Sequence, residues 1–332
     1  MAEKKGAEEN RARGTGGRLL RRFLVWREAS VIVVAVLLVV YFEATNSNFI
    51  TGDNLQTLSQ FIAAPAIIAI GEILLLICRE IDLSAGQTFA LAPFIVFYAA
   101  GAGLPVPLAI VAALVVCALL GLLIGLVTVG LGVPSFITTL GTLFLINGLT
   151  LTISGGFPAG TVGGPMLSWI MGNAPYAEII WAVLLVAAGH VLLRRTRWGM
   201  HTIAVGDNLT GAAEAGINVA RIRIGNFMIT TTLAGFAGIL EAFRIGSTDP
   251  LAGGSTIMFL AVAAGVIGGT ALTGGSGTII GGLLGAIVLG VLQDGFTLQG
   301  INAFTFDIII GLAILLAMIS NVYLGRIRGG RS

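Results

Sequence analysis

From residue 29 onward, long apolar runs alternate with short polar breaks. The apolar runs fall at about 29–44, 54–78, 84–101, 106–128, 134–154, 176–193, 221–243, 256–270, 279–293 and 304–323. About 20 apolar residues, wound as helix, cross about 30 Å of hydrocarbon. None of the runs alternates polar and apolar residues in the short segments of a membrane β-barrel. The pattern therefore predicts an all-α polytopic membrane protein with about ten transmembrane helices.

The breaks are as informative as the runs. Residues 155–175, opening Gly155-Gly156-Phe157-Pro158, form a long loop whose Gly and Pro content argues against a continuous helix. Arg79-Glu80-Ile81-Asp82-Leu83-Ser84-Ala85-Gly86 separates the second and third runs, and Thr270–Gly277 the eighth and ninth. A break in each half of a five-plus-five arrangement suggests an inverted internal repeat, a device that places interrupted helices beside a transport path. The largest polar island, residues 194–220, opens Arg194-Arg195-Thr196-Arg197-Trp198-Gly199. Within it, Asn208 is placed to cap a helix of about two turns, Leu209 to Ala215, and Gly216 to stop it in the left-handed conformation.

Composition sharpens this picture. The chain has 332 residues, 56% hydrophobic and 10% charged, where a soluble domain carries about 25% charged residues. Arginines concentrate in residues 1–28, at Arg79, in the 194–223 island and after residue 325; the alternate loops hold only Arg244. By the positive-inside rule both termini and the island face the cytoplasm. The division is then a basic cytoplasmic tail (1–28) able to lie on anionic lipid, a membrane domain (29–323) containing a cytoplasmic loop (194–220), and a cytoplasmic tail (324–332). The leader is too long, and lacks the cleavage site, for a secretory signal.

Lys4 and Lys5 are the only lysines. A P-loop ends in Lys followed by Ser or Thr, so ATP hydrolysis by that route is excluded, and the chain is expected not to be an enzyme. Cys78 and Cys117 lie in apolar runs, and His190 and His201 have no ligand-type neighbours. No metal, cofactor or nucleic acid is expected. The 48 glycines include Gly121-xxx-Gly125 and Gly277-xxx-Gly281-xxx-Gly285, read first as helix-packing faces.

Candidate functional residues begin with ionisable groups at membrane depth, which are costly there: Glu72, Glu241, Asp294 and Asp307, with Glu43, Glu178 and Arg244 nearer the edges. Glu72 and Glu241 either face a water-filled cavity and bind a polar solute or are satisfied locally. Asp82 and Ser84 stand where an N-cap belongs and are candidates for a gate. The fifth run carries Thr138, Thr139, Thr142, Asn147 and Thr150 with Phe136 and Phe144. That mixture of hydroxyls, amide and aromatics suits either a wall for a sugar-sized solute or interhelical hydrogen bonding.

Three segments together resemble the permease subunits of ATP-binding-cassette importers for monosaccharides, the ribose-type group. They are Ile81-Asp82-Leu83-Ser84-Ala85-Gly86; Pro134-Ser135-Phe136-Ile137-Thr138-Thr139-Leu140-Gly141 with Asn147-Gly148-Leu149 and Ser154-Gly155-Gly156; and Arg197-Trp198-Gly199 through Gly206-Asp207-Asn208 to Ala212-Ala213 and Gly216-Ile217. The resemblance implies about ten helices, a second permease subunit, identical or not, a cytoplasmic ATPase and an external (in a Gram-negative cell, periplasmic) sugar-binding protein. It implies that Asn208, Ala212, Ala213, Gly216 and Ile217 belong to a coupling helix seated in the ATPase. Glu72, Asp82, Ser84, Phe136, Thr139, Asn147 and Glu241 are the candidates for the substrate path or gate. In one place the chain departs from the pattern: the family often has two glycines where Arg79-Glu80 stand. The alternatives are a proton-coupled secondary carrier of a small polar solute, using Glu72, Glu241 or Asp307, and a related permease for amino acids or nucleosides.

Overall fold

A computed structural model describes residues 28–302 and, beyond them, 305, 308–313, 315, 316 and 319. Residues 1–27, most of the expected tenth span, Asp307 and the 324–332 tail lie outside the described residues. The helices are α1 (Ala29–Thr45), α2 (Gly52–Ile77), α3 (Ala85–Gly101), α4 (Val106–Gly125, continued in wider turns to Gly130), α5 (Ser135–Ser154), α6 (Pro165–Ser168, continued likewise to Asn173), α7 (Ala177–Arg195), α8 (Arg197–Asp207), α9 (Leu209–Glu214), α10 (Val219–Ile245), α11 (Gly254–Ile267) and α12 (Ile279–Leu298). The only pairing of strands among the described residues joins Ala159–Gly160 to Ser247–Thr248. Among the described residues six helices, α2, α4, α5, α7, α10 and α12, are long and apolar enough to cross a membrane; α1, α3 and α11 are apolar but shorter.

The arrangement centres on α2 and α10. α2 is apolar on every side from Phe61 to Ile77 but for Glu72 and is enclosed by α7, α10, α11 and α12, while α10 also packs on α3 and α4. A helix hydrophobic all round needs neighbours or lipid on every face. Lipid tails are as apolar as leucine, so close van der Waals approach, not water exclusion, must hold such helices together. Glycine supplies that approach. A methyl group on Gly238 of α10 would lie 1.9 Å from the Phe89 carbonyl oxygen of α3, and one on Gly285 of α12 would lie 2.0 Å from that of Ala264 in α11. Gly121 and Gly125 of α4 face α10 in the same way. The expected packing faces are therefore where the helices touch.

The polar island differs from its expected form: it holds two helices, not one. Thr196 accepts a hydrogen bond from the Gly199 amide, 3.3 Å, and starts α8 immediately after α7 ends. Gly199 is needed there, because a side chain would strike the Leu193 carbonyl oxygen at 2.1 Å. α9 then follows after a single residue, Asn208.

The breaks in the chain meet other parts of the bundle. The turn at 270–277 lies beside the end of α2, where the Gly275 amide donates to the Ile77 carbonyl, 2.9 Å. The 79–84 break leads into α3, and a further turn, residues 246–253, leads into α11. These two turns feed α3 and α11 towards each other. A methyl on Gly86 would sit 1.8 Å from the Gly254 carbonyl oxygen, so the N-termini of α3 and α11 meet backbone to backbone.

Candidate coupling site and membrane path

The island helices are held on the bundle by a small apolar cluster. Cys78, Val205, Ala212 and Ile222 form its centre, with Trp198, Ala204, Ile217 and Val219 around them. α9 is capped at both ends. The Asn208 side chain accepts from the Gly211 amide, 2.9 Å. At the other end the Ile217 amide donates to Ala212 and the Gly216 amide to Ala213, both at 3.0 Å, with Gly216 at φ +82°. This is a Schellman closure, completed by the contact between Ile217 and Ala212.

The caps divide the five expected coupling residues. Asn208, Ala213 and Gly216 are exposed, whereas Ala212 is buried and Ile217 is half-buried against the bundle. Ala212 and Ile217 therefore seat α9, and the outward surface is completed by Leu209, Thr210 and Glu214. Leu209, 48% exposed, was not singled out from the sequence. Its signal was present, an apolar residue at the first position of a capped polar helix.

Behind α9 lies a buried amide. Asn226 of α10, fully buried, accepts from the Trp198 indole at 2.9 Å and lies 3.3–3.4 Å from Cys78 Sγ, Thr202 Oγ1 and the Leu74 carbonyl. One side chain thus joins α2, α8 and α10. Trp198 packs against Gly225, where a methyl would meet the ring at 2.3 Å. That explains the Arg-Trp-Gly run: Gly199 turns the chain and Trp198 locks α8 to α10.

The Arg79-Glu80 pair sits at the same end. Arg79 has φ +65°, the left-handed region that favours glycine. The pair therefore keeps a glycine-type backbone while adding two side chains. Arg79 Nε donates to the Gly206 carbonyl at 3.0 Å and Nη2 to that of Asp207 at 3.1 Å. Buried Glu80 is ion-paired with Arg223 of α10.

From there the chain runs inward to a polar knot. Glu72, Asp82 and Ser84 are all fully buried. The Asp82 amide points to Glu72 Oε2 at 3.4 Å, and Asp82 Oδ1 accepts from the Ser84 amide at 2.9 Å and its hydroxyl at 2.5 Å. The expected cap is thus corrected in detail: Asp82 caps the turn, and the Ser84 side chain makes no capping bond to α3. Glu72 is enclosed in protein. Ser135, at the start of α5, accepts from the Ile81 amide at 3.4 Å, which ties α5 to the same break.

On α5 the hydroxyls turn back on their own helix. Thr139 bonds the Ser135 carbonyl at 2.8 Å, Thr142 that of Thr138 at 2.9 Å and Thr150 that of Ile146 at 2.8 Å. These three donate within the helix and do not bridge to a neighbour, whereas the buried Thr138 hydroxyl has no hydrogen-bond partner among the described residues. Phe136 and Phe144 project outward, 57% and 66% exposed, and Asn147 is half-buried between the two faces.

Glu241 stands apart from these residues, near the opposite end of α10. Together with Glu178 it flanks Arg244, whose Nε lies 3.1 Å from Glu178 Oε2 and whose Nη1 donates to Gln60 at 3.3 Å. Glu241 also lines a cavity of about 190 Å³ with Phe89, Pro93, Gly238, Ser247 and Asp249. Of the other membrane-depth acids, Asp294 accepts from Asn54 at 2.6 Å and Glu43 from the Ile50 amide at 3.0 Å, so both close contacts between segments.

Residues 54–318 match the model of the family described as branched-chain amino acid transport system, permease component. The chain is 36% identical over 320 residues to the xylose/arabinose import permease protein of Sulfolobus acidocaldarius, spanning 93% of this chain and 87% of that one. It is 32% identical over 322 residues to the ribose import permease protein of Escherichia coli, with 92% and 96% coverage. It is 33% identical over 310 residues to the autoinducer 2 import system permease protein of Salmonella typhi, with 91% and 86% coverage. No solved structure is significantly similar. The resemblance drawn from three motifs thus extends over nine-tenths of the sequence, and the chain belongs to the branched-chain amino acid transport system permease family, as a multi-pass membrane protein.

Proposed function

We propose that this chain is the membrane-spanning permease subunit of an importer that moves a monosaccharide into the cytoplasm, driven by a separate ATP-binding-cassette ATPase. The observation that carries this reading is α9: a doubly capped helix, seated on the bundle through Ala212 and Ile217, that presents Leu209, Thr210, Ala213 and Glu214 outward. A secondary carrier has no use for so rigid a docking element. The family is named for branched-chain amino acids, but relatives covering nine-tenths of the chain are named for xylose/arabinose and ribose import. Those names favour a sugar.

In this reading both termini and α8–α9 are cytoplasmic, as the arginine distribution requires. The chain has ten spans, α1–α5, α7, α10–α12 and a last one that includes 308–313, in two inverted halves. Support for the repeat comes from the facing starts of α3 and α11, each short and each fed by a turn at the equivalent place. A second permease subunit, identical or different, covers the outward face of α5, so that Phe136, Phe144 and Asn147 line the passage between subunits. Thr139 packs behind them. Glu72, Asp82 and Ser84 act as the hinge of the gate, and the Glu241 cavity belongs to the external side, where a periplasmic or extracellular sugar-binding protein docks.

The test is uptake of labelled xylose, arabinose and ribose by proteoliposomes holding the chain with its ATPase and binding protein. Uptake that requires ATP on the ATPase side, and that Leu209→Glu abolishes without loss of insertion, supports the proposal. Uptake by the chain alone, driven by a proton gradient, overturns it.

A further inference from the structure

We propose that Arg79 is the positioning residue through which motion of α9 reaches the gate, a role that rests on the permease function proposed above. Three facts converge on this side chain. It holds the last two carbonyls of α8, Gly206 and Asp207, groups that helix geometry leaves without partners. Those carbonyls immediately precede Asn208, the cap of α9. Arg79 is also the first residue of the break that leads, within five residues, to Asp82 and Ser84.

The surrounding packing turns this contact into a rigid junction. A methyl on Gly206 would lie 1.7 Å from the Ile77 carbonyl oxygen, and one on Gly274 would lie 2.5 Å from Cγ of Arg79. The Ile77 carbonyl also accepts the Gly275 amide at 2.9 Å. The ends of α2 and α8 and the 270–277 turn therefore meet around the Arg79 stem. Glu80, the next residue, is fixed to Arg223 of α10. When α9 is displaced, the α8 end must move with it, and the charged bonds carry the pull to the backbone of the break. The end of α2 behind it is anchored by Asn226. Two glycines in this place would keep the turn and lose the connection.

The backbone supplies a clean test. At φ +65° glycine is favoured over arginine, so Arg79→Gly removes both bonds while relaxing the chain. In proteoliposomes with ATPase and binding protein, R79G is expected to retain the ATPase and to hydrolyse ATP. Its ratio of sugar moved to ATP consumed should fall about tenfold, the scale set by losing hydrogen bonds to a charged group. Arg79→Lys keeps one charged donor and should restore part of the ratio. In the permease alone, R79G should speed hydrogen exchange across 205–216 and leave the middle of α10 unchanged. An R79G ratio equal to wild type overturns this assignment alone. An R79K ratio as low as that of R79G also overturns it. Wild-type protein that imports sugar without ATP overturns this assignment and the permease function together.

Discussion

Gly238→Ala decides whether the glycine faces are tight seams or merely permissive surfaces. The added methyl would lie 1.9 Å from the Phe89 carbonyl oxygen, 2.7 Å from its carbon and 3.0 Å from its Cα. All three are backbone atoms of α3, so no side chain can swing aside. Restoring the shortest tolerable separation, 3.0 Å, requires α3 and α10 to part by about 1 Å. A gap of 0.5–1 Å forfeits roughly a quarter to a half of each dispersion contact along the seam. The cost belongs at the upper end of the usual overpacking range, about 3 kcal/mol. Gly141→Ala is the control, because nothing lies within 4 Å of the added methyl. Thermal unfolding in one detergent at one scan rate, followed by tryptophan fluorescence, should show Gly238→Ala lowering the apparent Tm by roughly 6–12 °C, at about 2–4 °C per kcal/mol. Gly141→Ala should stay within about 1 °C. Equal Tm values for Gly238→Ala and wild type would refute the reasoning.

Three further outcomes are expected. Trp198→Phe deprives the buried Asn226 carbonyl of its donor and should cost about 1–3 kcal/mol, read as a lowered Tm with normal insertion. Arg244→Met leaves Glu178 and Glu241 facing each other without a cation; the loss should reach about 2–4 kcal/mol, below the fully buried case because Arg244 is partly exposed. Adding Glu178→Gln and Glu241→Gln should recover most of that Tm, and failure to do so would show that packing, not charge, is at issue. Cys78 and Cys117 are both buried, so neither should react with a maleimide until the bundle unfolds, and labelling in the native state would contradict the packing described.

Six of the spans were legible because apolar length alone marks a membrane helix, whatever face it turns to its neighbours. α9 was legible for a different reason: Asn208 and Gly216 act on their own backbone within a few residues. What the sequence could not show lies across long separations. The Arg79 bonds join positions 127 and 128 residues apart, and nothing near Arg79 names a partner. Its substitution for glycine was visible as a departure, but the left-handed backbone that reconciles the two was not. Similarly, nothing in the segment around Gly86 or around Gly254 shows that the two will meet backbone to backbone. The polar threonines of the fifth run looked available to a solute or a neighbouring helix because composition cannot tell a free hydroxyl from one folded back on its own turn.

Those hydroxyls have a mechanical consequence. In α10, Thr230, Thr231 and Thr232 bond the carbonyls of Asn226, Phe227 and Met228 at 2.8, 3.0 and 2.7 Å, as Thr139, Thr142 and Thr150 do in α5. Bonds four residues back leave a methyl on the outside. In hydrocarbon, where a broken interhelical hydrogen bond finds no water to replace it, a helix tied to its neighbours by hydroxyls would resist any shift. Where the hydroxyls are closed within one helix, as along these two stretches, a slip or tilt over the methyl surface breaks none of those bonds; resistance to movement is left to the few polar ties at Asn226, Arg223 and Arg244.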